Sequence, residues 1–198
     1  MQDAYAPALP VPGGRAAAPD DDWLSLPEAE LGAMQAESLI LFQRAAAGIP
    51  AARAGASLAL LHQLAMARAI VRATGKPQAE AHAAMRSDHA LGYLFGLASG
   101  SAGPNPGPRG ERRVAGTLMM LHDLTYGRQA AEALTVALVA EGSAQVGEGF
   151  ADGVLAAAAD LAALERWRRG KGGALPGGLL DGLGWPCWWR DGTDGPPH

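Results

Sequence analysis

Leu61-His62-Gln63-Leu64 and Leu121-His122-Asp123-Leu124 are the stretches that decide the fold, because the second repeats the pattern of the first 60 residues later. Each is followed by a Gly-aromatic-x-x-Gly element, at 92–96 and at 149–153. Apolar residues around all four stretches recur every three or four positions, which is typical of helices that pack against one another. The pattern therefore predicts helix hairpins that occur twice along the chain.

The predicted repeat has two halves, 51–99 and 111–169, joined by a flexible connector at 100–110 that is rich in Gly and Pro. The first elements match at a shift of 60 residues and the glycine elements at a shift of 57, which requires a shorter turn in the second half. A true duplication is one explanation. The other is chance, since two hairpins rich in Ala and Leu match at some offset.

Composition favours an all-α fold of about five antiparallel helices in a bundle. Of the 198 residues 48% are hydrophobic and only 18% are charged, with three Phe, three Tyr and no alternating run of β-branched residues. The bundle is predicted over 23–170, after a disordered N-terminal segment at 1–22. An irregular tail rich in Gly and Trp follows at 171–198.

The bundle's first helix should begin at a capping box formed by Ser25 and Glu28. Pro50 should begin the second helix and Gly75 should end it. The helices after the first are predicted at about 51–74, 77–99, 111–141 and 144–169.

The net charge of −4 argues against a nucleic-acid partner, which would require a concentrated basic surface. The densest basic group is Arg166, Arg168, Arg169 and Lys171; it lies where a helix should end and is interpreted as complementing that helix's dipole. The single cysteine, Cys187, forms no intrachain disulfide and is expected to be an inert buried thiol. No secretory signal and no membrane span are predicted, so a cytoplasmic location is expected.

Four glycines form two G-x-x-x-G pairs: Gly92 with Gly96, and Gly149 with Gly153. Glycines four positions apart remove side-chain bulk from one helix face and allow another backbone to come close. Each costs about 1 kcal/mol relative to alanine inside a helix, so four of them indicate a packing reason. Internal helix packing is the first interpretation, and a homodimer contact is the second.

His62 and His122 occupy matching places in the two halves, and a pseudo-twofold arrangement could bring them together. With Asp88 and His89 they form the candidate ligand-binding set, and Asp123 could join them around a metal. The competing interpretation is that His62 is a core histidine and His122 a half-buried one. No metal site is predicted, because no H-x-x-x-H, E-x-x-H or C-x-x-C spacing occurs.

Asp88 interrupts an apolar stripe, and a buried carboxylate needs a partner. Arg68 or Arg72 on the preceding helix could supply it through a salt bridge that fixes the register of the two helices. A carboxylate that lines a pocket is the functional alternative.

Trp185, Trp188 and Trp189 place a large apolar area in the tail. They could anchor the tail to the bundle or form a docking peptide for a partner. No catalytic residues and no cofactor are predicted. The sequence therefore favours a non-enzymatic interaction or assembly protein that acts through a protein partner or self-association. The alternative is a protein, possibly an enzyme, that binds a small ligand or metal near His62 and His122.

Overall fold

The computed structural model of the protein describes residues 23–45, 48–103, 107–141, 147–172 and 175–185. The predicted disordered segment at 1–22 lies outside these ranges, as do Cys187, Trp188 and Trp189. All regular elements of the described residues are helices, as predicted. They are α1 (Glu28–Arg44), α2 (Ile49–Thr74), α3 (Gln78–Met85), α4 (Asp88–Ala102), α5 (Pro108–Tyr126), α6 (Arg128–Glu141), α7 (Glu148–Arg168) and α8 (Gly178–Gly182).

The prediction of five helices is wrong, since the described residues form eight. The predicted helix at 77–99 is interrupted because Ser87 is extended, with ψ 159°, and its Oγ caps α4 by accepting from the Ala90 amide at 3.3 Å. The predicted helix at 111–141 is interrupted at Gly127, whose φ of 76° no helix interior adopts. The eighth helix, α8, lies in the tail that was expected to be irregular.

The start of α1 also differs from the prediction. Pro27 is the N-cap and no side chain caps the helix, so the capping box of Ser25 and Glu28 does not form. The Glu28 carboxylate instead accepts a hydrogen bond of 2.7 Å from the Arg72 guanidinium, across to α2. This pairing lowers the pKa of Glu28.

Contacts along the helices give the directions of two helix pairs. Glu28 pairs with Arg72 and Gln35 with His62, so α1 and α2 run in opposite directions. Between α4 and α7 the contacts advance together, from Gly92 beside Phe150 to Gly96 beside Val154 and Gly100 beside Leu161. These two helices therefore run parallel, and the antiparallel order of the whole bundle stays a prediction.

The proposed halves are interrupted at different places. In 51–99 the first helix is continuous and the second is split, whereas in 111–169 the first is split and the second is continuous from Glu148. The duplication therefore stays a prediction.

Helices α2 and α4 carry most of the core, and both contact several other helices. Their largest fully buried side chains are Leu60, Leu61, Leu64, Ile70, Tyr93, Leu94 and Leu97. The segment Pro50–Thr74 is long and apolar enough to cross a membrane, but 72% of its most apolar window is buried inside the protein. A central core helix accounts for that composition.

Candidate functional site

The structure does not bring the four predicted ligand-binding residues together. His62 contacts Gln35 of α1, and His122 contacts Thr135 of α6. His89 contacts α8, while Asp88 lies beside the N-terminal end of α7. Within the described residues no three His, Cys, Asp or Glu side chains are grouped as a metal site would require.

Both histidines of the proposed pair are packed as neutral rings. His122 is fully buried between α5 and α6, where its Nδ1 lies 2.9 Å from the Thr135 hydroxyl and its Nε2 has no partner among the described residues. Burial lowers the pKa of His122 to about 4, although a hydrogen bond to the Ala131 backbone opposes the shift. Burial also lowers the pKa of His62, with the Asp160 carboxylate acting in the opposite direction. The competing interpretation assigned their burial the wrong way round, since His62 is half-buried and His122 is the fully buried histidine.

The interpretation of Asp88 as a buried ion-pair partner is wrong. Asp88 is exposed at the first turn of α4, where a carboxylate interacts favourably with the positive end of the helix dipole. Arg68 donates to the Leu26 carbonyl and Arg72 pairs with Glu28, so neither reaches Asp88. The interruption before α4 explains the error, since a continuous helix would have placed Asp88 on its apolar stripe.

Three of the four glycines lie in the contact between α4 and α7. A Cβ on Gly92 would lie 2.1 Å from the Phe150 carbonyl oxygen, and one on Gly153 would lie 2.1 Å from that of His89. A Cβ on Gly96 would approach Val154 and Ala157 within 2.9 Å, whereas Gly149 has only ordinary contacts, at 3.5 Å or more. Because the faces of Gly92, Gly96 and Gly153 are covered within the chain, they offer no surface to a second copy.

A buried polar cluster of Gln63, Tyr93 and Asp160 lies beneath α8. The Tyr93 hydroxyl donates to Asp160 Oδ2 at 2.7 Å, and the amides of Gly177 and Gly178 donate to the same oxygen at 3.1 and 2.9 Å. Gln63 Nε2 lies close to the Tyr93 hydroxyl, and Gln63 is fully buried. The cluster thus places a carboxylate at the N-terminal end of a helix 17 residues further along the chain.

Gln63 completes the cap of α8. Its Oε1 accepts from the Leu179 and Leu180 amides at 2.7 and 3.3 Å. Together with Asp160 it satisfies the four amides at the start of α8 that have no partner within the helix. His89 holds the same segment from the other side, with Nε2 3.0 Å from the Gly178 carbonyl.

At the C-terminal end of α7 lies an open groove of about 530 Å³, a volume within the range of small-molecule sites. It is bounded by α1, by the start of α2, by the end of α4, by α5 and by the end of α7. Its apolar lining includes Phe42, Ala51, Ala52, Gly55, Leu161 and Leu164. We refer to this space as the groove.

Three arginines and one glutamate line the groove: Arg113, Arg168, Arg169 and Glu165. Arg168 donates to both oxygens of Glu165, at 2.8 and 2.6 Å, and Arg169 donates at 2.9 Å. The hydrogen bond from Arg168 lowers the pKa of Glu165 against the effect of burial, and Arg169 contributes in the same direction. Arg168 also lies 5.6 Å from the centre of the Phe42 ring.

Arg113 differs from the other two arginines. Its Nε is buried and has no hydrogen-bond partner among the described residues. Since the lining holds three arginines and one glutamate, two positive charges remain in excess at the groove.

Trp185 is the only member of the tryptophan set that the described residues include. It is buried, its ring centre lies 5.8 Å from Lys76 Nζ, and its amide donates to the Leu180 carbonyl at 3.0 Å. The part of the tail between Pro176 and Trp185 therefore packs onto the helices.

No protein-family model, curated protein or solved structure matches the chain. Inferences about function therefore depend on the geometry of the groove and of the exposed helix faces.

Sequence reasoning missed both the polar cluster and the groove, although signals for each were present. Asp160 lies three positions after the buried Ala157 and four before the buried Leu164, so a carboxylate stood on the inner face of its helix. Arg168 and Arg169 belong to the basic group that was interpreted only as a helix end. That group does lie at the C-terminal end of α7, and two of its members also line the groove.

Proposed function

We propose that this protein is a non-enzymatic binding protein for a small, largely apolar molecule that occupies the groove. The observation that carries the proposal is an open space of about 530 Å³ lined mainly by Phe, Leu, Ala and Gly. Pockets of this size with an apolar lining and a few polar groups are the usual form of a ligand site. The proposal keeps the ligand-binding interpretation of the sequence but moves the site away from the histidines.

A neutral fluorescent probe such as Nile red tests this proposal on the full chain. Ala52→Phe adds a ring inside the groove, whereas Ala73→Phe adds the same ring to an exposed position at the far end of α2. We expect saturable fluorescence with the parent chain and the Ala73 variant, and a large loss with the Ala52 variant. Equal binding by all three chains, with helicity unchanged, would place the probe elsewhere and contradict the proposal.

The exposed face of α7 supports a second candidate, the protein–protein interaction function favoured by the sequence. Leu155 is 68% exposed, and Ala151, Ala158 and Ala162 are exposed on the same side of the helix. An apolar helix face without a partner is suited to self-association. Sedimentation of the parent chain and of Leu155→Glu tests it: a dimer that the variant abolishes supports this function, and a parent monomer contradicts it.

A further inference from the structure

We infer that the groove selects an anionic amphiphile, with a carboxylate headgroup bound at Arg113 and an aliphatic chain along the apolar lining. This inference rests on the proposed function, which the Nile red experiment tests separately. The three arginines do not contribute equally to it. Glu165 neutralises much of the charge that Arg168 and Arg169 present, whereas no carboxylate is paired with Arg113 within the described residues.

The Nε atom of Arg113 therefore lacks an acceptor within the described residues, in a partly buried side chain that lines the groove. A polar group removed from water without a hydrogen-bond partner is costly, and an anionic ligand would supply that partner. A guanidinium binds a carboxylate through two parallel hydrogen bonds, so Arg113 is suited to an anionic ligand. Its positive charge repels a cationic ligand.

The helix ends at the groove do not reverse this preference. The N-terminal end of α2, at Gly48 and Ala51, favours negative charge, and the C-terminal end of α4, at Ala102 and Gly103, favours positive charge. The C-terminal end of α7, at Arg168 and Arg169, favours positive charge as well. Each helix end carries only about half an elementary charge, so the two excess arginine charges outweigh these ends and determine the sign of the groove.

The apolar lining and the volume of the groove determine the aliphatic chain of the ligand. A group the size of a water molecule takes about 30 Å³, so 530 Å³ holds roughly 18 such groups. A single aliphatic chain of about 12 to 16 carbons with its headgroup fits this volume, whereas a nucleotide would leave its polar groups against Leu161 and Leu164.

Calorimetric titration of the full chain with four probes tests the inference: dodecanoate, dodecanol, dodecyltrimethylammonium and acetate, all below their micelle concentrations. We expect dodecanoate to bind at least about tenfold more tightly than dodecanol, as expected for a charge-assisted hydrogen bond. Dodecyltrimethylammonium should bind much more weakly because the arginines repel its positive charge. Acetate should also bind much more weakly because it has no aliphatic chain.

Variants of two neighbouring arginines identify the residue responsible. Arg113→Gln should reduce dodecanoate affinity about tenfold and leave dodecanol affinity unchanged, and Arg113→Lys should restore part of the loss. Arg112→Gln removes an exposed charge from the same helix and serves as the control. Circular dichroism checks that each variant is folded.

The outcomes separate the inference from the function on which it rests. Equal affinity for dodecanoate and dodecanol, or tighter binding of the cation, overturns the assignment of an anionic ligand while leaving a binding groove. Acetate binding as tight as that of dodecanoate overturns the role of the chain. Binding by none of the four probes overturns the inference, and if Nile red also fails to bind, the proposed function falls as well.

Discussion

The α4–α7 contact and the attachment of α8 hold helices by opposite means. Between α4 and α7 the backbones come close because Gly92 and Gly153 carry no side chains, and backbone packing replaces side-chain packing. Beneath α8 the buried side chains of Gln63 and Asp160 accept hydrogen bonds from the start of the helix. The α4–α7 contact depends on the absence of side chains at its glycines. The attachment of α8 depends on buried polar atoms that each need a hydrogen-bond partner. The two should therefore respond differently to substitution.

Adding one methyl group to the α4–α7 contact should have the largest effect. Gly153→Ala places a Cβ 2.1 Å from the His89 carbonyl oxygen, and neither backbone can move independently. We expect it to reduce the free energy of unfolding by at least about 4 kcal/mol, measured by chemical denaturation.

Gly149→Ala is the matched control from the same sequence element, because its Cβ would have ordinary contacts at 3.5 Å. It should change stability by less than about 1 kcal/mol. Equal effects of the two substitutions would show that the glycines do not set the distance between the helices.

Removing the carboxylate beneath α8 should have the next largest effect. Asp160→Ala removes the shared acceptor of the Tyr93 hydroxyl and the amides of Gly177 and Gly178. Each buried donor that loses its acceptor costs about 1–3 kcal/mol, so the variant should lose about 3–4 kcal/mol in total. Asp160→Asn retains one acceptor oxygen and should cost less. Asp152→Ala, at an exposed position of α7, should cost less than about 0.5 kcal/mol, and a similar cost at both sites would exclude a capping role.

Acid should destabilise the fold where a buried side chain titrates, as His122 does, whereas Gly92 and Gly153 carry no side chain that titrates. His122 has a pKa of about 4 in the folded chain and about 6.5 when unfolded. Between these values the unfolded chain binds the proton and the folded chain does not. Stability should therefore fall by about 3 kcal/mol as the pH decreases from about 6.5 to about 4.

The variant His122→Gln tests the origin of this pH dependence. It removes the titrating ring from the position beside Thr135, so denaturation curves across the same pH range should show a smaller loss than in the parent. An unchanged loss would assign the pH dependence to other groups.

Two serines give the smallest expected effects. Ser87→Ala removes the hydroxyl that caps α4 and should cost about 1 kcal/mol. Ser38→Ala, within α1 and away from its start, removes no cap and should change stability by less than about 0.5 kcal/mol. Thermal unfolding of both variants compares them, and a larger cost at Ser38 would contradict the capping role of Ser87.

Local signals in the sequence predicted local structure. Pro50 in the first turn of α2 and Gly75 at its end, with φ 63°, confirm the expected start and stop of that helix. The interruption at Ser87 was missed because helical periodicity continues past it, although a Ser-Asp pair is a typical helix start. The interpretation of Asp88 therefore depended on where α4 begins.

The sites were less accessible to sequence reasoning because their residues are far apart. Asp160 could be recognised as a carboxylate on an apolar face, but its partners at Gly177 and Gly178 belong to a segment with no helical periodicity. The groove combines residues from five helices, including Arg113 and Phe42, so no spacing along the chain reveals it.

The parallel course of α4 and α7 has a consequence for how the chain folds. Gly92 and Gly153 meet although they are about 60 positions apart, and α5 and α6 form the return path between them. Contacts at such separation require closure of a long loop before they contribute, which slows folding relative to a bundle of sequential hairpins. The α1–α2 pair should therefore form early, and the α4–α7 contact should form in a late kinetic step.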